Sequence, residues 1–134
     1  MKCVNCDLPV AEGQRECACG TKIDEKFITF AALLERAESG DAKAQCEAAI
    51  AFQNGTQTIK ENLSKSKRFF QAAYNQGEAL GYYGIGWFHL HGYADTQIDY
   101  EKTQELAQKA IAMNCVEGIR LMGHLYREEK WPGH

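Results

Sequence analysis

The 134-residue sequence predicts an all-α fold, a short array of helix hairpins preceded by a small cysteine-rich head. Two observations predict it. A pattern of small and apolar residues recurs every 37 residues, and four of the six cysteines fall within the first 19 positions. A fixed period of this length marks helical-hairpin arrays, in which each unit buries its apolar face against its neighbours.

The repeat is read from the residues. Gly40-Asp41-Ala42-Lys43-Ala44-Gln45, with Ala49, Phe52 and Gly55, returns as Gly77-Glu78-Ala79-Leu80-Gly81-Tyr82, with Gly86, His89 and Gly92. A third copy starts at Asn114 and carries Gly118, Met122-Gly123 and Tyr126. Small residues hold equivalent slots (Ala44, Gly81, Gly118, then Ala49, Gly86, Gly123), where neighbouring helices are expected to approach closely. That approach must outweigh a helix-propensity cost of about 1 kcal/mol per glycine.

At the N-terminus the cysteines are spaced Cys3-x2-Cys6-x10-Cys17-x-Cys19. Two close thiolate pairs joined by a short loop suit tetrahedral Zn2+, each pair giving two sulfurs from one tight turn. Gly13 and Gly20 suit such turns, and Val4, Leu8, Val10 and Ile23 are the only sizeable aliphatics of residues 1–23, so metal must drive the folding of this head. A four-thiolate site is closed and structural. A redox dithiol would call for a thioredoxin-like αβ context around a Cys-x-x-Cys, and none is visible. Cys46 and Cys115 lie at helical positions and read as small hydrophobes.

From Asp24, an N-cap, the spacing of Phe27, Phe30, Ala31, Leu34 and Ala37 predicts a first helix closed by Gly40. The first repeat is expected to form helices over 42–53 and 62–76, with Leu63, Ser66, Phe69, Phe70 and Ala73 inward. The second gives 79–91 and 99–113, with Tyr100, Thr103, Leu106, Ala107, Ala110 and Ile111 inward. A last helix over 116–128 precedes the tail Trp131-Pro132-Gly133-His134, where Pro132 stops continuation. The division is therefore a head over 1–23 and a repeat domain over 24–134.

With these residues in view the chain resembles the Sel1-like repeat proteins, relatives of the tetratricopeptide arrays. Gly40-Asp41-Ala42-Lys43-Ala44-Gln45 and Met122-Gly123-His124-Leu125-Tyr126 carry the likeness, and Lys65-Ser66-Lys67-Arg68-Phe69-Phe70-Gln71-Ala72-Ala73 echoes its second helix. It covers roughly residues 40–128. Departures are Ala48-Ala49 for Leu-Gly, His89 for a packing Tyr, and a unit one residue longer than usual. The first 22 residues likewise resemble the short zinc ribbons of bacterial proteins, with one residue, Ala18, between the second cysteines where that family has two. The resemblance implies a short right-handed α-solenoid behind a four-cysteine zinc ribbon. It implies a bacterial protein-binding module, a scaffold, signalling adaptor or antagonist of a cognate toxin (an immunity protein), with its groove on the first helices of the hairpins. Equivalent positions there are Cys46, Tyr83 and Arg120, then Ile50, Trp87 and His124, then Gln53, Leu90 and Arg127. Tyr83, Trp87, Leu90 and His91, flanked by Arg120, His124 and Arg127, are the expected partner surface. The rival reading of Tyr83 and Trp87 is that they pack as core.

Composition bounds the other classes. Residues 1–77 hold ten Lys/Arg and ten Asp/Glu, and 78–134 hold five against eight, which is no nucleic-acid footprint. The alternatives are a nucleic-acid-associated factor acting through the ribbon and a cysteine or metal enzyme. Against the latter, His89 and His91 are i, i+2 on a helix and diverge, and no carboxylate pair stands out. Gly81-Tyr82-Tyr83-Gly84-Ile85-Gly86 lies inside a helix with no preceding strand, so phosphate cradling is not expected. Lys60, Lys65, Lys67 and Arg68 read as a solvated helix face. No apolar run approaches the roughly 20 residues of a membrane span, and Met1–Cys6 has no signal-peptide core, so the expected location is cytoplasmic.

Overall fold

A computed structural model describes residues 1–128. The tail motif at 131–134 lies outside the described residues. Among those described there are six α-helices and no strand: α1 Glu25–Glu38, α2 Ala42–Asn54, α3 Leu63–Asn75, α4 Ala79–His91, α5 Tyr100–Ala112 and α6 Val116–Tyr126. Each packs chiefly on its neighbour in sequence, and α4 also meets α6. No helix is long and apolar enough to cross a membrane.

The 37-residue register is visible in the backbone. Gly40, Gly77 and Asn114 all take positive φ (109°, 79° and 63°) in the turn before α2, α4 and α6. Asparagine is the side chain that tolerates this region best, so the third copy keeps the turn without glycine. Gly55 and Gly92, at φ 71° and 74°, close α2 and α4. Asn62 and Asp99 cap α3 and α5 by accepting from the amides of Lys65 and Lys102. Within each hairpin a hydroxyl of the second helix ties the first. Ser66 Oγ donates to the Ala49 carbonyl at 2.7 Å, and Thr103 Oγ1 donates to that of Gly86 at 3.1 Å. Both hydroxyls are fully buried, so each bond also satisfies a polar group that would otherwise cost stability.

The interior follows the expected faces. Phe52, Phe70, Phe88, Leu106, Leu121 and Leu125 are sealed from solvent. Glycines set the helix spacing: a Cβ on Gly81 would lie 2.3 Å from the backbone nitrogen of Tyr74, and one on Gly84 would enter the Phe70 ring. The slot at Gly86 would meet Leu121 Cδ2 at 2.8 Å, but among the described residues nothing lies within 4 Å of a Cβ on Gly123, so none of them makes the close approach expected there.

The head joins this core. Cys3, Val4, Val10 and Cys17 belong to one apolar cluster with Phe27, Phe30, Phe52 and Phe69. Residues 1–23 and the first helices therefore share a continuous interior, where the sequence suggested separate ones.

Candidate metal centre and aromatic face

The head is two matched turns. In the first, the Cys3 amide donates to the Leu8 carbonyl at 2.8 Å and Asp7 takes φ 64°. In the second, the Cys17 amide donates to the Thr21 carbonyl at 2.8 Å and Gly20 takes φ 91°. Isolated antiparallel bridges, Lys2 with Pro9 and Glu16 with Lys22, close the two turns. Ala18 shortens the second turn by a residue, yet the sulfurs still converge.

The Sγ atoms of Cys3, Cys6, Cys17 and Cys19 all lie within 4.8 Å of one another, with Cys6 to Cys17 at 3.4 Å and Cys3 to Cys19 at 3.7 Å. A tetrahedral ion with bonds of about 2.3 Å to sulfur separates its ligands by about 3.8 Å. The four cysteines can therefore hold one metal ion. Their proton affinities are driven apart: hydrogen bonds from the Thr21 hydroxyl and amide pull Cys19 down to about 6. At Cys6 the Leu8 amide lowers the pKa, but desolvation and the three neighbouring sulfurs push it up to about 12. Four thiolates this close repel, and a cation at their centre removes that conflict.

Side chains outside the head hold the first turn in place. Asn5, between Cys3 and Cys6, donates to Thr21 Oγ1 and to the Thr58 carbonyl, both at 2.9 Å, and accepts from the Lys60 amide at 2.8 Å. Lys65 Nζ donates to the Val4 carbonyl at 3.2 Å and pairs with Asp7 at 2.9 Å. Lys60 Nζ reaches the Cys19 carbonyl at 3.5 Å. The predicted solvated basic face is thus corrected at Lys65 and Lys67, while Lys60 and Arg68 are exposed as expected. Lys65 is largely covered, Lys67 bonds the Ala94 carbonyl, and Arg68 pairs with Glu38. Two of these cations stand over the turns that present the thiolates, the sign expected beside an anionic tetrathiolate centre.

On α4 and α6 the predicted partner residues divide. Trp87 is half-buried and lies 4.8 Å from the His91 ring, 5.4 Å from Tyr93 and 5.1 Å from Phe88, centroid to centroid. His91 stacks on Tyr93 at 5.3 Å. Tyr83 is half-buried, accepting a 3.4 Å hydrogen bond from Gln53 and meeting Phe70 edge-on. Arg120, His124 and Arg127 are exposed. Leu90 corrects the expectation: it is 5 % exposed and packs with Leu121 and Leu125, because its position on α4 faces α6. Cys46 and Gln53 are buried as well. Burial pushes the Cys46 thiol up to about 11, so it is a neutral small hydrophobe. Cys115 instead ends up half-buried at the N-cap of α6, with Sγ 3.4 Å from Glu117.

Sequence reasoning missed Asn5 and Tyr93. Asn5 was legible as the polar residue between two ligands. Tyr93 follows Gly92, whose left-handed conformation turns the chain back, and only the folded loop lays the ring against Trp87 and His91. No protein-family model and no curated protein matches this chain.

Proposed function

We propose that the chain is a protein-interaction module built as a short right-handed α-solenoid of Sel1-like repeats, with an N-terminal zinc ribbon as a structural element. The recurrence of turn, cap and hydroxyl bond at 37-residue steps supports the repeat reading. An all-sulfur donor set with tetrahedral spacing supports Zn2+, which would supply structure there and no open coordination position for a substrate.

The observation that carries the functional reading is the aromatic face. Trp87, His91 and Tyr93 form a partly exposed stack on and after α4, and exposed Arg120, His124 and Arg127 extend from α6 on the same side in the repeat register. Aromatic rings beside arginine are the composition of binding hot spots. The module would hold another protein or a peptide on that concave face, as an adaptor or as the inhibitory partner of a toxin.

Affinity capture from the native cell with the intact, metal-loaded chain tests this. A single protein partner should be recovered with wild type and lost with the double charge reversal Arg120→Glu/Arg127→Glu, which touches only exposed side chains. Trp87→Ala should weaken binding by about 2 kcal/mol. Recovery of nucleic acid alone, with steep salt dependence, would overturn the reading in favour of the ribbon.

A further inference from the structure

The four cysteines of the head are free thiols, and they divide by exposure. Cys3 and Cys17 are 0 % and 4 % exposed, whereas Cys6 and Cys19 are partly open to solvent. Two short contacts, Cys3 to Cys19 at 3.7 Å and Cys6 to Cys17 at 3.4 Å, each join an open sulfur to a covered one. Both contacts cross from one turn to the other. Chain spacing alone would favour the opposite pairing, Cys3 with Cys6 and Cys17 with Cys19. Each crossed pair must close by about 1.5 Å to reach the length of a disulfide bond. The other fasteners of the head do not involve sulfur. Asn5 holds Thr58 and Lys60, and Lys65 of α3 holds the Val4 carbonyl and Asp7. A cross-link that draws the two turns together therefore leaves those bonds in place.

We propose that Cys6 and Cys19 are oxidation sites for hydrogen peroxide, with Cys17 and Cys3 as their respective resolving partners. Oxidation exchanges the metal for two cross-turn disulfides, and the head keeps its seat on α3. This rests on the reading of the four cysteines as a metal centre. The open thiolate attacks one peroxide oxygen: an S–O bond forms, the O–O bond breaks and hydroxide leaves. The covered thiolate then attacks that sulfur, forming S–S, breaking S–O and releasing a second hydroxide. Two protons from solvent convert both hydroxides to water. Each disulfide thus gives two electrons to one molecule of peroxide. Two such events leave none of the four thiolates, and thiolate is the form that ligates, so the ion is released.

Trypsin, cutting after Lys2, Arg15 and Lys22, puts Cys3 and Cys6 in one peptide and Cys17 and Cys19 in another. The metal-loaded full-length protein is treated with hydrogen peroxide beside a chromophoric zinc chelator, alkylated in denaturant and digested without reduction. About one equivalent of metal should be released for about two of peroxide. Peptides 3–15 and 16–22 should appear joined, with partial reduction and fragmentation linking Cys3 to Cys19 and Cys6 to Cys17. Cys46 and Cys115 should be recovered alkylated. The helical signal of the oxidised protein should melt above that of the reduced, chelated protein. Unjoined peptides, the other crossed pairing, sulfinic or sulfonic acids in place of disulfides, or a melt no higher than the chelated protein's would overturn the proposal. Protein that carries no metal before oxidation would refute the metal reading alone, and the same digest of that protein still decides the disulfides.

Discussion

The side-chain oxygen of Asn5 accepts the backbone amide of Lys60 at 2.8 Å, joining the turn between two candidate ligands to a loop 55 residues further along. The nitrogen of the same side chain donates to the Thr58 carbonyl and the Thr21 hydroxyl. Asn5→Ala should therefore lower stability by about 1–3 kcal/mol, the range for leaving partly buried groups unpaired. Metal content should stay at one equivalent, because no sulfur is touched. Thermal melts beside metal analysis check this, and a loss of metal in step with stability would refute it.

Removing the metal should be felt beyond the head. Cys3, Val4 and Cys17 share their apolar cluster with Phe27, Phe52 and Phe69, so chelation should lower the melting temperature of the helical signal as well as unravel residues 1–23. A helical melt that is identical with and without chelator would show that the two parts are energetically independent.

Gly81→Ala and Gly84→Ala should each destabilise by about 1–3 kcal/mol or more, since the new methyl would enter the Tyr74 backbone in one case and the Phe70 ring in the other. Gly123→Ala should be neutral or stabilising. Equilibrium denaturation of the three variants orders them, and a destabilised Gly123→Ala would mean a neighbour closer than the structure shows.

Stability should decline in mild acid through His91. Burial, first, and then the charge of His124 depress its pKa below 6.5, against the opposing pull of Glu128. Trp87 and Tyr93 pack on its ring. A histidine whose folded pKa is depressed favours its neutral form in the native state. Its contribution is intact above the unfolded pKa of about 6.5 and is lost as pH falls from there toward the folded value. His91→Gln should flatten that part of the profile. An unchanged slope below pH 6.5 would assign the acid sensitivity to other groups.

Cys46 should resist alkylation at pH 8 in the folded protein. Burial holds its thiol near 11, so almost no thiolate is present and the sulfur is covered. Its modification should follow the rate of unfolding, and fast labelling of Cys46 in the native state would contradict the packing described.

Helices were legible because several capping and terminating signals repeat: Asn62 and Asp99, Gly55 and Gly92, Gly77 and Asn114. The cysteine cluster was legible from spacing alone. Tertiary choices were not. Leu90 and Trp87 are three residues apart on one helix, and nothing in the pattern says that Leu90 turns under α6 while Trp87 stays half-open against Tyr93. Lys65 reads as a solvent residue until the head lies across it, and that contact spans 58 positions. Periodicity reports which face of a helix is buried, whereas docking between distant segments depends on shape that no local window contains.

Those distant contacts also set an order in time. Helix packing links sequence neighbours, while the head is secured by bonds spanning 53, 55 and 61 positions, from Asn5 to Thr58 and Lys60 and from Val4 to Lys65. Contacts of long sequence separation form late, because a long loop must close before they can form. During synthesis, then, the head must wait for α3 to emerge before it has a seat, and until that moment four thiols stand open to whatever metal or oxidant reaches them first.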